Sequence, residues 1–488
     1  MSAVSPLKIL FVASEAYPFA KSGGLGDFAS ALPKALQRAG HDVRLLLPKY
    51  ASVIDCDQGL KPSGIDVSVP VGQRQCKGFL FESALPDGPP VTLISKASYF
   101  LRKDLYGSEY GEFGDNGERF IFFCRAALET CKAIGFQPDI IHCNDWQTGL
   151  VPLYLKTVYA KDPFFSKTKS VFTIHNLAYQ GNFSSDLLEL AHVPRELYHP
   201  EGVELYGQFS FLKAGLVCAD YLTTVSPTYS KEIQTPEGGW QLEGLLKKRS
   251  DHLVGILNGV DYETWNPQTD ATLPSRYSIK QPETKLACRR DLERRFALKL
   301  APDKPLACMV TRLSHQKGID LIADNLQRML DQGAGFILLG SGDPEYQDRF
   351  EQLQKRFSDQ AAVVIGYDEI LAHQIIAGSD LILIPSRYEP CGLTQLYGLK
   401  YGTLPLARAT GGLQDSVEEV SVDSAKGTGF KFDNFQRDDL LNAWNKAQSC
   451  FSKPQLWKTL VDNAMRQDFG WQPSAQRYID LYRRALSA

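Results

Sequence analysis

Short runs of hydrophobic residues without polar alternation recur along the chain, and each is followed by a stretch with helical spacing. The runs lie at residues 9–13, 140–143, 170–174, 221–225, 253–257, 306–310, 336–340, 363–366 and 381–385. Strands buried on both faces, as in parallel sheets, have this composition. Their alternation with helices over a long chain predicts an α/β fold of doubly wound sheets with right-handed crossovers.

The first of these strands precedes a segment with clear helical spacing. Hydrophobic residues recur every three or four positions beyond Asp27, at Phe28, Ala31, Leu32, Ala35, Leu36 and Ala39. Gly40 ends the pattern, as glycine commonly does after a helix. Pro33 lies within it, and because proline lacks a backbone donor we expect it to bend the helix or to mark its true start.

The predicted strands fall into two groups that divide near residues 258–267, where Asn-Gly and Asn-Pro pairs interrupt the chain. A chain of 488 residues is too long for one ordinary core. We therefore predict one Rossmann-like domain over residues 1–257 and a second over 258–470. Residues 471–488 are expected to form a helix, either an ordinary terminal helix or one that packs back on the first domain. Its apolar face consists of Ala475, Ile479, Tyr482 and Leu486.

The composition is that of an ordinary globular protein, with 43% hydrophobic and 22% charged residues. A net charge of -3 gives no reason to expect nucleic acid as a partner, so an anionic ligand must be bound by a few placed cations. No run approaches the roughly 20 apolar residues needed to cross a bilayer, and we expect no membrane association.

Ten cysteines are scattered without a Cys-x-x-Cys pair or zinc-type spacing. Several lie in or beside apolar runs, where a free thiol behaves as a small hydrophobic side chain: Cys56, Cys76, Cys124, Cys131 and Cys143. Reduced thiols predict a cytosolic-type compartment. Residues 1–8 lack the apolar stretch of a signal peptide and lead almost directly into a strand, which agrees with that expectation.

A glycine-rich loop over residues 21–27, with the sequence Lys-Ser-Gly-Gly-Leu-Gly-Asp, connects the first strand to the first helix. Glycines allow the backbone to approach a phosphate, the helix N-terminus offers unpaired N–H groups, and Lys21 adds a full charge. The loop does not match Gly-x-Gly-x-x-Gly and lacks the Gly-Lys-Ser/Thr ending of a P-loop, which weighs against NAD and ATP. It predicts a phosphate-bearing ligand.

Two loops in the second half of the chain have related chemistry. Arg312 and Lys317 follow the strand at residues 306–310, and two cations at the carboxyl edge of a sheet suit a pyrophosphate. The segment 386–395 also follows a strand and precedes a helix, so the amides of Gly392, Leu393 and Thr394 could face phosphate. Glu389 beside them would repel phosphate and more plausibly binds sugar hydroxyls.

Two histidine-bearing segments end strands in the first half of the chain, at residues 142–147 and 173–181. Histidine, aspartate and tryptophan at strand ends suit sugar binding, because hydroxyls need hydrogen-bond partners and sugar rings stack on aromatic faces. A single histidine of this kind is more often structural. Together with the three loops above, however, five strand ends carry residues for a sugar and a diphosphate.

These motifs resemble those of bacterial glycogen synthases and of the catalytic core of plant starch synthases. The resemblance covers nearly the whole chain and rests on the segments 21–27, 115–120, 175–181, 206–215, 223–229, 256–261 and 389–402. It implies a GT-B type glycosyltransferase with two Rossmann-like domains facing across a cleft. The implied reaction is transfer of glucose from ADP-glucose to the non-reducing end of an α-1,4-glucan, with retention of configuration, which elongates glycogen.

The resemblance also implies the roles of individual residues. Donor binding is implied for Lys21, Gly24, Asn258, Arg312, Lys317, Tyr367, Cys391, Gly392, Leu393 and Thr394. Roles at the reacting sugar are implied for Asp145, His175 and Glu389, together with Arg312 and Lys317, and Tyr106 is implied on the acceptor side. Tyr367 would stack on adenine; the alternative is a buried core tyrosine. In this family front-side attack assisted by the leaving phosphate is favoured over a double displacement.

Three departures or ambiguities accompany the resemblance. Asn144 stands where the family usually has a second histidine, and His315 stands where it usually has tryptophan. Asp55-Cys56-Asp57 spells the Asp-x-Asp of manganese-dependent transferases. We interpret it as a solvated turn, because transferases of this two-domain type need no metal, and we expect no cofactor.

The alternatives are a related transferase that uses UDP-glucose or another acceptor, and a non-catalytic glucan-binding protein on the same scaffold. The second predicts loss of the charged residues, yet Lys21, Arg312, Lys317 and Glu389 are present. The expected compartment is a bacterial cytoplasm, ahead of a plastid stroma. Oligomeric state is left open.

Overall fold

The computed structural model describes residues 5–55, 59–108 and 111–488. These divide into two compact units. The first runs up to Val225, continues over Ser230–Ile256 and includes Trp471–Ala488; the second consists of Ser226–Tyr229 and Leu257–Gly470.

The strands of the first unit range from two to eleven residues, and those at the centre of its large sheet are the most deeply buried. They are β1 (Lys8–Val12), β2 (Asp42–Pro48), β3 (Lys61–Val71), β4 (Arg74–Ala84), β5 (Pro90–Ser95), β6 (Gly107–Ser108), β7 (Gly111–Glu112), β8 (Ile140–Asn144), β9 (Lys169–Ile174), β10 (Asn182–Phe183), β11 (Glu204–Leu205), β12 (Gln208–Ser210), β13 (Tyr221–Thr224) and β14 (Leu253–Gly255). Nine of them form one sheet in the order β14-β13-β9-β8-β1-β2-β5-β4-β3. The strands from β14 to β5 are parallel, and β4 and β3 extend that edge as an antiparallel hairpin.

The helices that precede the second unit's sheet connect or cover these strands. They are α1 (Gly24–Arg38), α2 (Ala97–Phe100), α3 (Asn116–Ala133), α4 (Leu150–Lys156), α5 (Leu187–Leu190), α6 (Phe211–Cys218), α7 (Pro227–Glu232) and α8 (Glu243–Lys248). Helix α1 begins at Gly24 with Pro33 inside it, so the expectation that Pro33 might mark the helix start is wrong. Phe28, Leu32 and Leu36 of its apolar face are buried, as the spacing predicts.

The sheet of the second unit is entirely parallel. Its strands are β15 (Leu306–Val310), β16 (Gly335–Gly340), β17 (Ala361–Ile365), β18 (Leu381–Ile384), β19 (Leu404–Arg408) and β20 (Phe430–Phe432), in the order β17-β16-β15-β18-β19-β20. Numbered within the unit, this order is 3-2-1-4-5-6, that of a dinucleotide-binding Rossmann fold. Its helices are α9 (Lys285–Arg295), α10 (Ile319–Ala323), α11 (Leu326–Asp331), α12 (Pro344–Arg356), α13 (Glu369–Gly378), α14 (Thr394–Tyr401), α15 (Gly411–Ser416), α16 (Arg437–Phe451) and α17 (Pro454–Met465). Two Rossmann-like sheets confirm the predicted α/β fold.

The last helix, α18 (Trp471–Ser487), belongs to the first unit. The hydroxyl of Tyr482 lies 2.6 Å from Nδ1 of the buried His142 in β8. The rings of Trp471 and Tyr478 contact the Phe28 ring of α1, with centroids 5.7 and 6.0 Å away. The first unit is therefore built from three separate segments of the chain, the last of which follows the second unit.

Each of the two large sheets has a point at which the strand order reverses direction. In the first unit it lies between β1 and β8, and in the second between β15 and β18. Open α/β sheets bind ligands outside the carboxyl ends of the strands at such points. The segments that follow these four strands are therefore where a site is expected.

Within the described ranges no helix is long and apolar enough to cross a membrane. The same residues contain no cluster of three or more His, Cys, Asp or Glu side chains placed to hold a metal ion. Nine cysteines are free thiols. Cys56 and Asp57 lie outside the described residues.

Candidate functional site

The glycine loop begins the site in the first unit. Gly23 precedes α1 without a side-chain cap, so the first amides of the helix have no capping side chain. A Cβ added at Gly24 would meet no atom within 4 Å, so packing within the protein does not explain that glycine. Lys21 Nζ lies 2.7 Å from Asp27 Oδ1, with both side chains about a third exposed. The loop combines a helix start without a side-chain cap, open space at Gly24 and a partly exposed cation.

Directly after β1, the buried carboxylate of Glu15 holds this loop. It accepts hydrogen bonds from the Ser22 backbone N–H at 2.5 Å and the Ser22 hydroxyl at 2.7 Å. The Tyr106 hydroxyl donates to it at 2.6 Å and lies 2.7 Å from Ser14 Oγ. Burial, and then the charge of Glu15, raises the pKa of Tyr106 well above its ordinary value. Glu15 was missed by the motif analysis.

At the end of the neighbouring strand β8, Asp145 has a left-handed backbone with φ of 55°. Its Oδ1 accepts the His175 backbone N–H at 2.8 Å. Although part of Asp145 remains accessible, burial raises the pKa of its carboxyl to about 7. The hydrogen bonds from the His175 and Asn176 backbone N–H groups act in the opposite direction and lower that pKa. The carboxyl therefore changes protonation near neutral pH.

His175 follows β9 and is held as a neutral ring. Burial lowers the pKa of its imidazole to about 3. Its Nε2 lies 3.0 Å from Asn144 Oδ1, and the Phe28 ring contacts it edge-on at 4.5 Å between centroids. Asn144 also donates to the Val12 carbonyl at 3.0 Å. The asparagine that departs from the family pattern thus joins β1, β8 and His175.

In the second unit, an ion pair joins the loops after β15 and β18. Lys317 Nζ lies 2.6 Å from Glu389 Oε2, with side chains 20% and 7% exposed. The hydroxyl of Ser386 donates to the same oxygen at 2.8 Å. Lys317 and Glu389 line a pocket with Ser386, Gly392, Leu393, Thr394 and Gln395 and with residues of β15 and β18. The pocket is at the switch point of the sheet.

Backbone amides form another wall of this pocket. Helix α14 starts at Thr394, and Leu393 before it provides no side-chain cap. Gly392 has φ of 70°, and a Cβ there would lie 2.4 Å from Gln395 Oε1. Gln395 donates to the carbonyls of Cys391 and Gly392 at 3.0 and 2.9 Å. The turn therefore directs the start of α14 into the pocket.

Arg312 is exposed, and within the described residues its guanidinium makes no hydrogen bond or ion pair. The loop that carries it is nevertheless held in place. Arg387 makes a two-pronged ion pair with Asp320, at 2.7 and 2.6 Å, and donates to the His315 carbonyl at 2.8 Å. His315 itself is exposed and takes no part in these side-chain contacts.

Asn258 and Cys391 contact each other beside the pocket without lining it. Burial raises the pKa of the Cys391 thiol to about 12, against the lowering by the Asn258 backbone N–H. The side-chain oxygen of Asn258 is buried and has no hydrogen-bond partner in the described part of the chain. An unpaired buried acceptor suits a ligand hydroxyl.

Tyr367 follows β17 and is 74% exposed, which excludes a buried core tyrosine. Its hydroxyl lies 3.4 Å from Glu369 Oε2, which is a weak contact. Neither Tyr367 nor Arg312 lines the pocket around Lys317. Both still follow strands of the same sheet at their carboxyl ends.

Two further glycines support Glu389 and were not identified from the sequence. The Gly412 N–H donates to the Glu389 carbonyl at 3.0 Å. A Cβ on Gly411 or Gly412 would lie 1.9 Å from the carbonyl oxygen of Glu389 or Cys391, respectively. The hydroxyl of Ser226, which lies 164 residues earlier in the chain, donates to the Pro390 carbonyl at 2.6 Å. Backbone contacts thus fix the Glu389 loop.

Comparison with known proteins agrees with these features. Residues 8–248 match the family model of the starch synthase catalytic domain, and residues 291–459 match that of glycosyl transferases group 1. The chain is 45% identical to the glycogen synthase of Syntrophotalea carbinolica over 98% of this chain and 99% of that protein. It is 44% identical to the glycogen synthase of Geobacillus stearothermophilus, with 98% of each chain covered.

Solved structures give the same result. The catalytic domain of starch synthase IV from Arabidopsis thaliana, bound to ADP and acarbose, superposes with a TM-score of 0.92 at 36% identity. That match covers 99% of this chain and all of the other. Sucrose-phosphate synthase from Thermosynechococcus elongatus, at 18% identity and a TM-score of 0.61, shares the fold.

Proposed function

This chain belongs to the family of bacterial glycogen synthases, and we propose that it transfers glucose from ADP-glucose to the non-reducing end of an α-1,4-glucan. Its partners are then a nucleotide sugar and a glucan such as glycogen, in a bacterial cytoplasm. The observation that supports this most directly is the Lys317–Glu389 pair beside the amides that begin α14. The pair presents a cation for phosphate and a carboxylate for sugar hydroxyls in one pocket.

For the donor, we propose that Arg312, Lys317 and the amides of Gly392, Leu393 and Thr394 bind the diphosphate. Because Glu389 neutralises Lys317 in part, the guanidinium of Arg312, which has no partner among the described residues, supplies the remaining charge on this side. Tyr367 stacks on the adenine, and Asn258 accepts a hydroxyl of the transferred glucose. In the first unit, Lys21 and Gly24 bind phosphate.

For the chemistry, neither Asp145 nor His175 is well suited to form a covalent glucosyl intermediate. Asp145 has one oxygen occupied by a backbone amide, and its raised pKa shows that its anionic form is disfavoured. His175 is neutral and in contact with Asn144. We propose that Arg312 and Lys317 stabilise the charge that develops on the leaving diphosphate. His175 and Asp145 then orient the glucose, Tyr106 lies on the acceptor side, and attack occurs on the face that the diphosphate leaves.

A direct comparison of donors tests the proposal. Turnover on glycogen is measured with ADP-glucose and UDP-glucose side by side, with and without EDTA. We expect kcat/KM to be at least about tenfold higher with ADP-glucose, a difference of roughly 1.4 kcal/mol, and to be unaffected by EDTA. A preference for UDP-glucose would contradict the donor, and loss of turnover in EDTA would contradict metal-free transfer.

The base contact has its own variant. Tyr367→Ala removes an exposed ring and is expected to raise the KM for ADP-glucose about tenfold, since stacking on a base contributes roughly 1–3 kcal/mol. Phe79→Ala removes another exposed ring, 54% exposed, from the first unit's sheet and serves as the control. Equal KM values for the two variants would contradict the role of Tyr367.

A further inference from the structure

Glu15 connects two segments of the first unit to which the proposed function assigns different substrates. Glu15 contacts the glycine loop through Ser22, the residue between Lys21 and Gly23. Its other contact is the hydroxyl of Tyr106, which we place on the acceptor side. One carboxylate therefore touches both segments, which lie more than 80 residues apart in the chain.

The chemistry of the contact makes it sensitive to small movements. Glu15 is 3% exposed, and its carboxylate accepts hydrogen bonds from one backbone N–H and two hydroxyls. Within the described residues it forms no ion pair with a cation, so these three hydrogen bonds alone compensate its burial. Hydrogen bonds to a buried carboxylate are short and strong, and losing one leaves a charge poorly solvated. Because Ser22 and Tyr106 donate to the same carboxylate, a displacement of either residue disturbs the hydrogen bond of the other.

The two segments are otherwise anchored to different parts of the unit. On one side, the Tyr17 N–H donates to the Gly26 carbonyl at 3.0 Å. On the other, Asn116 donates to the Tyr106 carbonyl at 2.8 Å, and the fully buried Arg119 donates to the Leu105 carbonyl at 3.0 Å. Among these contacts, Glu15 is the group common to both segments.

We propose that Glu15 is a positioning residue that couples donor binding at the glycine loop to acceptor binding at Tyr106. This inference rests on the proposed function. Phosphate drawn toward Lys21 and Gly24 fixes Ser22, and Ser22 fixes Tyr106 through the shared carboxylate. By linkage, the glucan must tighten ADP binding by the same factor as ADP tightens glucan binding.

The test measures that factor directly. The dissociation constant of ADP is determined by calorimetry for the full chain with and without saturating maltoheptaose, and that of maltoheptaose with and without ADP. We expect the wild type to show coupling of at least about fivefold in both directions. Glu15→Gln keeps the size of the side chain, but its amide nitrogen cannot accept the Ser22 backbone N–H that Glu15 Oε2 now accepts, so the factor should fall toward one.

Two more variants separate positioning from stability. Tyr106→Phe cuts the link from the other end and should abolish the coupling equally, with no further change in the double variant. Ser22→Ala removes only one donor and should reduce the coupling partly, which keeps the test available if Glu15→Gln does not fold. Glu189→Gln, an exposed carboxylate of the same unit, is the matched control and should behave as the wild type.

The outcomes are distinguishable. Wild-type coupling retained in a folded Glu15→Gln variant would overturn the inference, even if its thermal stability fell, because a merely structural carboxylate predicts that result. A wild type that transfers glucose but shows no coupling would overturn this inference and leave the proposed function intact. A wild type that neither binds ADP nor transfers glucose would overturn the proposed function with it.

Discussion

The ammonium group of Lys317 lies 2.6 Å from a carboxylate oxygen of Glu389, across two loops that follow neighbouring strands of one parallel sheet. The pair is largely shielded from water. A carboxylate beside a phosphate site is useful only if a cation separates the two negative charges, and Lys317 provides that separation. The functions of the two residues are therefore linked.

Glu389→Gln tests the carboxylate. The amide can still accept from Ser386 but carries no charge, so we expect kcat to fall about 100-fold or more, as for loss of one strong transition-state contact. The thermal midpoint should fall by only a few degrees, which corresponds to a loss of about 1 kcal/mol in the free energy of unfolding. Glu419→Gln, which breaks a surface pair with Lys446, is the control. Full activity in Glu389→Gln would refute the assigned site.

Arg312→Lys tests whether the exposed guanidinium acts as a forked phosphate ligand. Lysine keeps the charge but cannot make two parallel hydrogen bonds, so we expect kcat/KM for ADP-glucose to fall about tenfold or more. Because the side chain has no partner among the described residues, the unfolding temperature should not change. Arg356→Lys, on α12, provides the comparison. A variant with unchanged kcat/KM would show that charge alone suffices.

Gly412→Ala tests the backbone support of Glu389. The new Cβ would lie 1.9 Å from the Cys391 carbonyl oxygen, so the Glu389 loop must move. Overpacking of this kind costs about 1–3 kcal/mol, and we expect lower thermal stability and at least about tenfold lower kcat. Gly244→Ala is the matched control, since its Cβ would meet nothing within 4 Å. Equal activities of the two variants would argue against the supporting role.

Asp145 predicts a pH dependence of stability. Its folded pKa of about 7 lies above the ordinary value of about 3.9, so the stabilisation from its proton is present at low pH and is lost as pH rises through 7. Asp145→Asn mimics the protonated form. Its free energy of unfolding should exceed that of the wild type by about 1.3 kcal/mol more at pH 8 than at pH 5, because about two pH units of the shift lie in this range and the resulting figure is halved for partial exposure.

Calorimetric midpoints of the wild type and Asp145→Asn across this pH range measure the difference. Asp251→Asn, at an exposed site of the same unit, is the control for the substitution itself. A constant difference for Asp145→Asn would mean that the carboxyl is ionised throughout.

Much of the fold follows from periodicity alone, and the resemblance to glycogen synthases is confirmed by the relatives. The unbroken apolar runs at residues 306–310 and 381–385 became β15 and β18, because strands covered on both faces carry no polar alternation. The pattern does not reveal which strands pair. That order places Arg312 and Lys317 beside the Glu389 loop, and it depends on long-range packing.

Glu15, Gly411 and Gly412 were not identified from the sequence, and the physical reason is the same for all three. Glu15 is a single carboxylate in an apolar segment and belongs to no spaced motif, so only its position just after β1, at the switch point, could have identified it. Gly411 and Gly412 act through missing side chains next to the backbone of Glu389 and Cys391. Such contacts join segments that are separate in the sequence, and no local pattern records them.

The contribution of α18 to the first unit has a consequence for biosynthesis. Tyr482 pairs with His142, and Trp471 packs on Phe28, yet these aromatic residues leave the ribosome after every residue of the second unit. Domains usually fold as units, the N-terminal one first during synthesis. Here the nascent first unit must wait with the histidine of β8 and the phenylalanine of α1 uncovered while the second unit is completed. A released chain that ends at Gly470 should therefore have a finished second unit attached to a first unit that is open to protease.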